Sequence, residues 1–305
     1  MTVNIEGENR MRLTALIPAL IIVCLISSAA SSEESDITAF IEKLPVTQRE
    51  MAYKTVGDVS LKLHIFELTE RTAGAKRPAI VFFFGGGWTG GTPSQFFPHC
   101  RYLASRGMTA VSAEYRVKSR HGTTPLECVA DGKSAVRWLR LHADELGIDQ
   151  DKIAGGGGSA GGHVGACTGV IEGLDEEGEN LKVSSRPNAL VLFNPVTDTT
   201  PERWRERMGP RARDISPNHH IRKGLPPTII FHSTADTTVP IEQVETFARL
   251  MNEAGNTCRL VPFKGMKHAF FNYGKFENKP FVETVGHMDR FLVSLGYIEG
   301  EPTLP

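Results

Sequence analysis

The sequence predicts an α/β fold: a mostly parallel, doubly wound sheet with helices on both faces and one small insert. Three observations predict it. From residue 78 onward, short continuous apolar runs alternate with segments of helical spacing, and continuous apolarity marks strands buried on both faces. The residues able to do chemistry follow the ends of those runs, where open parallel sheets gather function. Finally, Gly157-Gly158-Ser159-Ala160-Gly161 lies between an apolar run and a helical one.

Taken in order, the chain opens with Arg10 and Arg12 before an apolar run over 13–26, then Ser27-Ser28-Ala29-Ala30. This is the pattern of a signal peptide over 1–30, cleaved after Ala30. The run is short for a membrane span. The expectation is an exported protein, periplasmic or secreted, with no stable membrane association after cleavage. Residues before Met11 carry Glu6 and Glu8, unlike a leader, so Met11 is an alternative start. Residues 31–305 then form one catalytic domain, entered through a polar stretch at 31–36.

Residues 51–56 and 60–66 alternate apolar and polar around Gly57-Asp58, which predicts a hairpin at the sheet edge. Residues 78–84 make a buried strand, 96–106 a helix and 109–113 a strand. Residues 125–146 read as one long helix ended by Gly147. A short strand at 151–154 leads to the Ser159 turn, with a helix from about Gly161. Strands follow at 189–194 and 228–232, then a helix at 241–254 capped by Gly255. A strand at 259–263 and a helix at 281–295 close the domain. Only 199–225, rich in Arg and Pro, breaks the rhythm, and it reads as a small lid insert.

The formal net charge of -1 gives no electrostatic footprint for nucleic acid. Beyond the leader, Cys100, Cys128, Cys167 and Cys258 allow three pairings if all are bridged. They are dispersed without C-x-x-C spacing, which fits buried small hydrophobes better than a metal knot.

A serine hydroxyl becomes a nucleophile only when a base can take its proton and a carboxylate holds that base's tautomer. Ser159 follows the 151–154 strand, Asp236 the 228–232 strand and His268 the 259–263 strand. Asp198, after the 189–194 strand, is the competing acid, and Asp236 could instead cap the next helix. His163 lies inside the helix after Ser159, where packing is its expected role. Gly85-Gly86-Gly87-Trp88 follows the most apolar strand, where a glycine loop can turn backbone N–H groups toward an oxyanion. The N–H of Ala160, just after the serine, is a further donor. This chemistry needs no metal or cofactor, and none is expected.

The segments Gly85-Gly86-Gly87-Trp88 and Gly158-Ser159-Ala160-Gly161-Gly162 resemble the hormone-sensitive-lipase-like esterases of the α/β-hydrolase superfamily, nearest their secreted bacterial acetyl xylan and feruloyl esterase-like members. Glu114-Tyr115-Arg116, the Ala130-Asp131 to Trp138-Leu139 helix and the Asp236 and His268 segments extend the likeness over residues 50–296. The resemblance implies Gly86, Gly87 and Ala160 as oxyanion donors and Ser159, Asp236 and His268 as the triad. It also implies a small-molecule or polysaccharide ester as substrate; oligomeric state is not readable. Two positions depart from the family: Phe84 stands where a histidine is usual, and Gly158 where an acidic residue is. No large N-terminal helical cap is recognisable, which implies an open site.

Three rivals stay open at this point. A serine peptidase of the prolyl-oligopeptidase type shares the triad order, and a non-catalytic carbohydrate-binding relative shares the scaffold. Gly85 to Gly90 also imitates a dinucleotide-binding G-x-G-x-x-G motif, with Glu114 downstream, although Thr92-Pro93-Ser94 postpones the helix that motif requires.

Overall fold

A computed structural model describes residues 37–70 and 74–305; the signal peptide expected at 1–30 lies outside them. The strands are β1 (Val46–Val56), β2 (Val59–Leu68), β3 (Arg77–Phe83), β4 (Thr109–Ala113), β5 (Ile148–Gly158), β6 (Ala189–Phe193), β7 (Thr228–Ser233) and β8 (Cys258–Phe263). They form one sheet in the order β1-β2-β4-β3-β5-β6-β7-β8. β1, β2 and β4 pair antiparallel, and every pairing from β4 to β8 is parallel. The expected hairpin is β1–β2, turning at Gly57 with φ +55°.

Side chains alternate across the strands, so β3 feeds two cores. Ala79, Val81 and Phe83 join the cluster under the helices Pro125–Leu141, Ala160–Val170 and Ile241–Glu253. Ile80 and Phe82 join the opposite cluster under Phe97–Ser105 and Lys279–Ser294. Period-two alternation of wholly apolar strands produces this two-sided burial.

Two elements differ from their sequence reading. The long helix is broken: Pro125–Leu141 ends at His142, and the single turn Ala143–Leu146 follows. There the His142 ring stacks on Trp138 and its Nδ1 lies 2.9 Å from the Trp138 carbonyl. β5 is longer than residues 151–154 and runs through Gly155–Gly158 to the serine itself, and the next helix starts at Ala160. Those glycines lack strand propensity but fit where side chains cannot: a Cβ on Gly156 would stand 2.3 Å from the Val191 carbonyl oxygen. All four cysteines of the described domain are buried and unbridged.

Candidate active site

Ser159 sits where β5 meets the helix Ala160–Val170, with φ 54° and ψ -119°. A non-glycine residue is strained there, at a cost of about 1–3 kcal/mol. Close packing of strand and helix holds it. A Cβ on Gly161 would lie 2.0 Å from the Phe83 carbonyl oxygen, and one on Gly157 2.4 Å from the same atom. Gly158, the departure from the family pattern, has a matching cause: a Cβ there would meet the Phe271 ring at 2.5 Å.

The three groups expected from sequence converge. The Ser159 hydroxyl lies 2.8 Å from His268 Nε2, and His268 Nδ1 lies 2.6 Å from Asp236 Oδ2. With Nδ1–H donating to the carboxylate, Nε2 is free to accept the serine proton. Asp236 does cap the following segment as well, its Oδ1 accepting the Thr238 and Val239 N–H groups at 2.9 Å each. Burial pulls the Asp236 carboxyl up, but the hydrogen bonds from His268 and Val239 and the charge of His268 outweigh it and hold it below the ordinary carboxylate value. Asp198 is not brought to His268; its Oδ1 accepts from Thr200 and from the Ser216 hydroxyl. His163 is fully buried, its Nδ1 accepting from Trp88 Nε1 and its Nε2 donating to the Ile215 carbonyl. Burial pushes its pKa down to about 4, so it is a neutral packing residue, as expected.

The glycine loop lies against the serine: a Cβ on Gly85 would stand 3.3 Å from Ser159 Cβ. Gly86 and Gly87 have φ of 132° and 62°, open to glycine and strained for other residues. Gly86 offers its carbonyl to the N–H groups of Thr89 and Gly90. Ala160 begins its helix, so its N–H is one of the orphan donors of a helix start. After the loop comes the 3₁₀ turn Pro93–Phe96, not a helix opening inside the glycine motif, which removes the support for a dinucleotide fold at 85–90.

Three supporting residues escaped the sequence reading. Gln95 Oε1 accepts the Gly85 N–H at 2.6 Å. The Tyr115 hydroxyl donates to the Phe84 carbonyl at 2.6 Å, under a stacked Phe84 ring. Asn194, just past β6, accepts the N–H of Ala269 beside His268 at 3.0 Å. Only Tyr115 carried a signal, as part of a family segment; an isolated Gln or Asn carries none. An open cavity of about 510 Å³ adjoins the loop, with Gly85, Gly86, Gln95, Asn272 and Tyr273 in its walls. The insert holds the helix Glu202–Met208, whose Trp204 meets Trp88 edge to face at 5.6 Å. Of its arginines, Arg205 pairs with Glu202 and Arg211 with Asp214, whereas Arg203 donates to the Thr238 carbonyl, Arg222 pairs with Glu172, and the Arg207 guanidinium lies over Trp204 and against Gly87.

Comparison with known proteins gives consistent matches. Esterase 2 of Thermogutta terrifontis, phosphoramylated by tabun, is 49% identical, covers 85% of this chain and 98% of its own, and superposes with a TM-score of 0.81. Its butyrate-bound form is 48% identical, with coverages of 85% and 98% and a TM-score of 0.79. Esterase LipC of Mycobacterium tuberculosis is 27% identical over 215 residues, 63% of this chain and 53% of that protein. The chain spans about half the length of the curated relatives it matches. The BD-FAE family model matches residues 65–251. Those residues run from β2 through the helix Ile241–Glu253, taking in the glycine loop, the serine turn and Asp236; the chain has the α/β-hydrolase fold and belongs to the BD-FAE family.

Proposed function

We propose that the protein is a carboxylic ester hydrolase working through a Ser159 acyl-enzyme. The observation that carries this reading is the unbroken line of hydrogen bonds from Ser159 through His268 to Asp236. Ser159 Oγ attacks the ester carbonyl carbon while His268 Nε2 takes the hydroxyl proton, and the Gly86, Gly87 and Ala160 N–H groups meet the oxyanion. Collapse breaks the bond to the alcohol, which leaves with the proton from His268. Water then attacks the acyl-enzyme, passing a proton to His268, and collapse releases the acid and reprotonates Ser159.

On substrate, the reading is a short acyl ester, acetyl (or feruloyl) on carbohydrate, met outside the cytoplasm by an exported single-domain enzyme whose 199–225 insert acts as a lid. Three features support it. Polar side chains, including Thr92, Ser94, Gln95 and Asn272, line the cavity beside the glycine loop, which suits a hydroxylated alcohol. Each buried methylene of a longer acyl chain would add only about 0.8 kcal/mol, and the charged insert offers little surface to collect it. The related esterase 2 has a butyrate-bound form. The test is kcat/KM on p-nitrophenyl acetate, butyrate and octanoate and on methyl ferulate, with acetylated xylan as polymer. Acetate above octanoate and release of acetate from xylan are expected. Octanoate above acetate with xylan untouched would sink the carbohydrate reading, and no turnover of any ester would sink the hydrolase reading.

A further inference from the structure

The glycine loop has no histidine before it; Phe84 occupies that position and stacks on Tyr115 at 4.2 Å. Something else must fix the loop, because Gly86 and Gly87 have no side chains with which to anchor themselves. The first N–H of the loop is already taken. Gly85 donates it to Gln95 Oε1 at 2.6 Å, and Gln95 Nε2 in turn donates to Asn272 Oδ1 at 2.8 Å. Asn272 lies four residues beyond His268, and its N–H donates to the Ala269 carbonyl at 3.3 Å. One amide side chain therefore ties the loop bearing Gly86 and Gly87 to the segment bearing His268.

Both ends of this tie are held by the core. Gln95 precedes Phe96, which is fully buried and stacked on Phe82 at 4.7 Å and Phe271 at 5.8 Å. Asn272 directly follows that same Phe271. The Gln95 amide also has its orientation fixed, since an acceptor is required toward Gly85 and a donor toward Asn272.

We propose that Gln95 is a positioning residue for the oxyanion loop, acting through its bridge to Asn272; this rests on the ester-hydrolase reading above. It touches no reacting atom. Its effect is to hold the Gly86 and Gly87 N–H groups in register with Ser159 and His268 while charge moves from one to the other. Donors aimed at an oxyanion act mainly in the transition state, where losing one costs about 10²–10³ in kcat, and small misplacements of catalytic geometry also cost rate. A loosened loop should lose less than a deleted donor.

The test is Gln95→Leu, close in size but unable to accept from Gly85. The expected result on p-nitrophenyl acetate is a fall in kcat of about 10-fold or more, short of the loss of a whole donor, with little change in KM. Affinity for a trifluoromethyl ketone, which forms an oxyanion on the serine, should fall by the same factor as kcat/KM. Gln95→Glu keeps the acceptor toward Gly85 but loses the donor to Asn272 and sets a carboxylate beside the oxyanion donors, so it should also lower kcat. Asn272→Ala should cost less than Gln95→Leu, and the double variant no more than Gln95→Leu alone, because the two residues form one unit. If Gln95→Leu does not fold, the Glu and Asn272 variants carry the same test. Unchanged kcat in Gln95→Leu or in Gln95→Glu, or a rise in KM alone, would overturn the inference. Ester turnover by the wild-type enzyme that is abolished once a fluorophosphonate labels Ser159 would show that only this inference, and not the hydrolase reading, had failed.

Discussion

At the scale of the residue, geometry separates groups that composition cannot. Asp198 and Asp236 both follow apolar strands, yet only Asp236 reaches His268, while Asp198 braces the insert through Ser216. Asp236→Asn is expected to lower kcat about 10⁴-fold, as for the comparable change in a serine protease triad, and Asp198→Asn to leave it nearly intact. The reverse pattern in steady-state kinetics would reassign the acid. His99 gives a prediction on stability. It is fully buried among Phe82, Phe96, Phe193, Phe271 and Phe281, with no hydrogen-bond partner for either ring nitrogen. Burial pushes its pKa down from 6.5 to about 3. Between those values the unfolded chain binds a proton that the folded chain refuses, so stability falls as pH drops below 6.5 and is unaffected above it. By pH 5 the loss from this one group is about 2 kcal/mol, at 1.36 kcal/mol per unit. His99→Leu should therefore gain on wild type in thermal melts as pH goes from 7 to 5; a difference that does not grow would contradict the burial argument. The surroundings of His99 were not legible in the sequence, because a histidine in a helix looks the same whether its ring meets water or five phenyl rings.

At the scale of the element, most of the fold could be read from apolar runs because parallel strands buried on both faces leave a strong signal. The hairpin, the strand Thr109–Ala113 and the helix Ile241–Glu253 fall where patterning puts them. The exceptions are instructive. β5 looked four residues long because Gly155–Gly158 have no propensity for strand, but β3 and β6 pair on either side of them and hold them extended. The close approach of neighbours that makes glycine necessary also hides the strand. The break at His142 was hidden in the opposite way: the helical pattern of the sequence continues through it, while the His142 backbone leaves helical geometry at φ -100° and ψ 17°. The order of triad residues along the chain was readable for a topological reason, since each follows a different parallel strand. Gln95 and Asn194 were not readable, since their roles come from loops that meet only in three dimensions.

At the scale of the whole molecule, the parallel part of the sheet brings together segments 109 residues apart in sequence, as Ser159 and His268 are. Ser159 directly follows β5, Asp236 and His268 lie in the loops after β7 and β8, and β3 leads to the glycine loop. In a fold of this kind we propose that the three groups act as a unit, with Ser159 Oγ as the atom that is acylated. The most direct test is kcat of Ser159→Ala on p-nitrophenyl acetate, with folding verified by circular dichroism. The expected result is a loss of several orders of magnitude in a folded protein, leaving only what binding and the oxyanion donors supply. A folded variant keeping more than about a tenth of wild-type kcat, far above what such a unit allows, would contradict it.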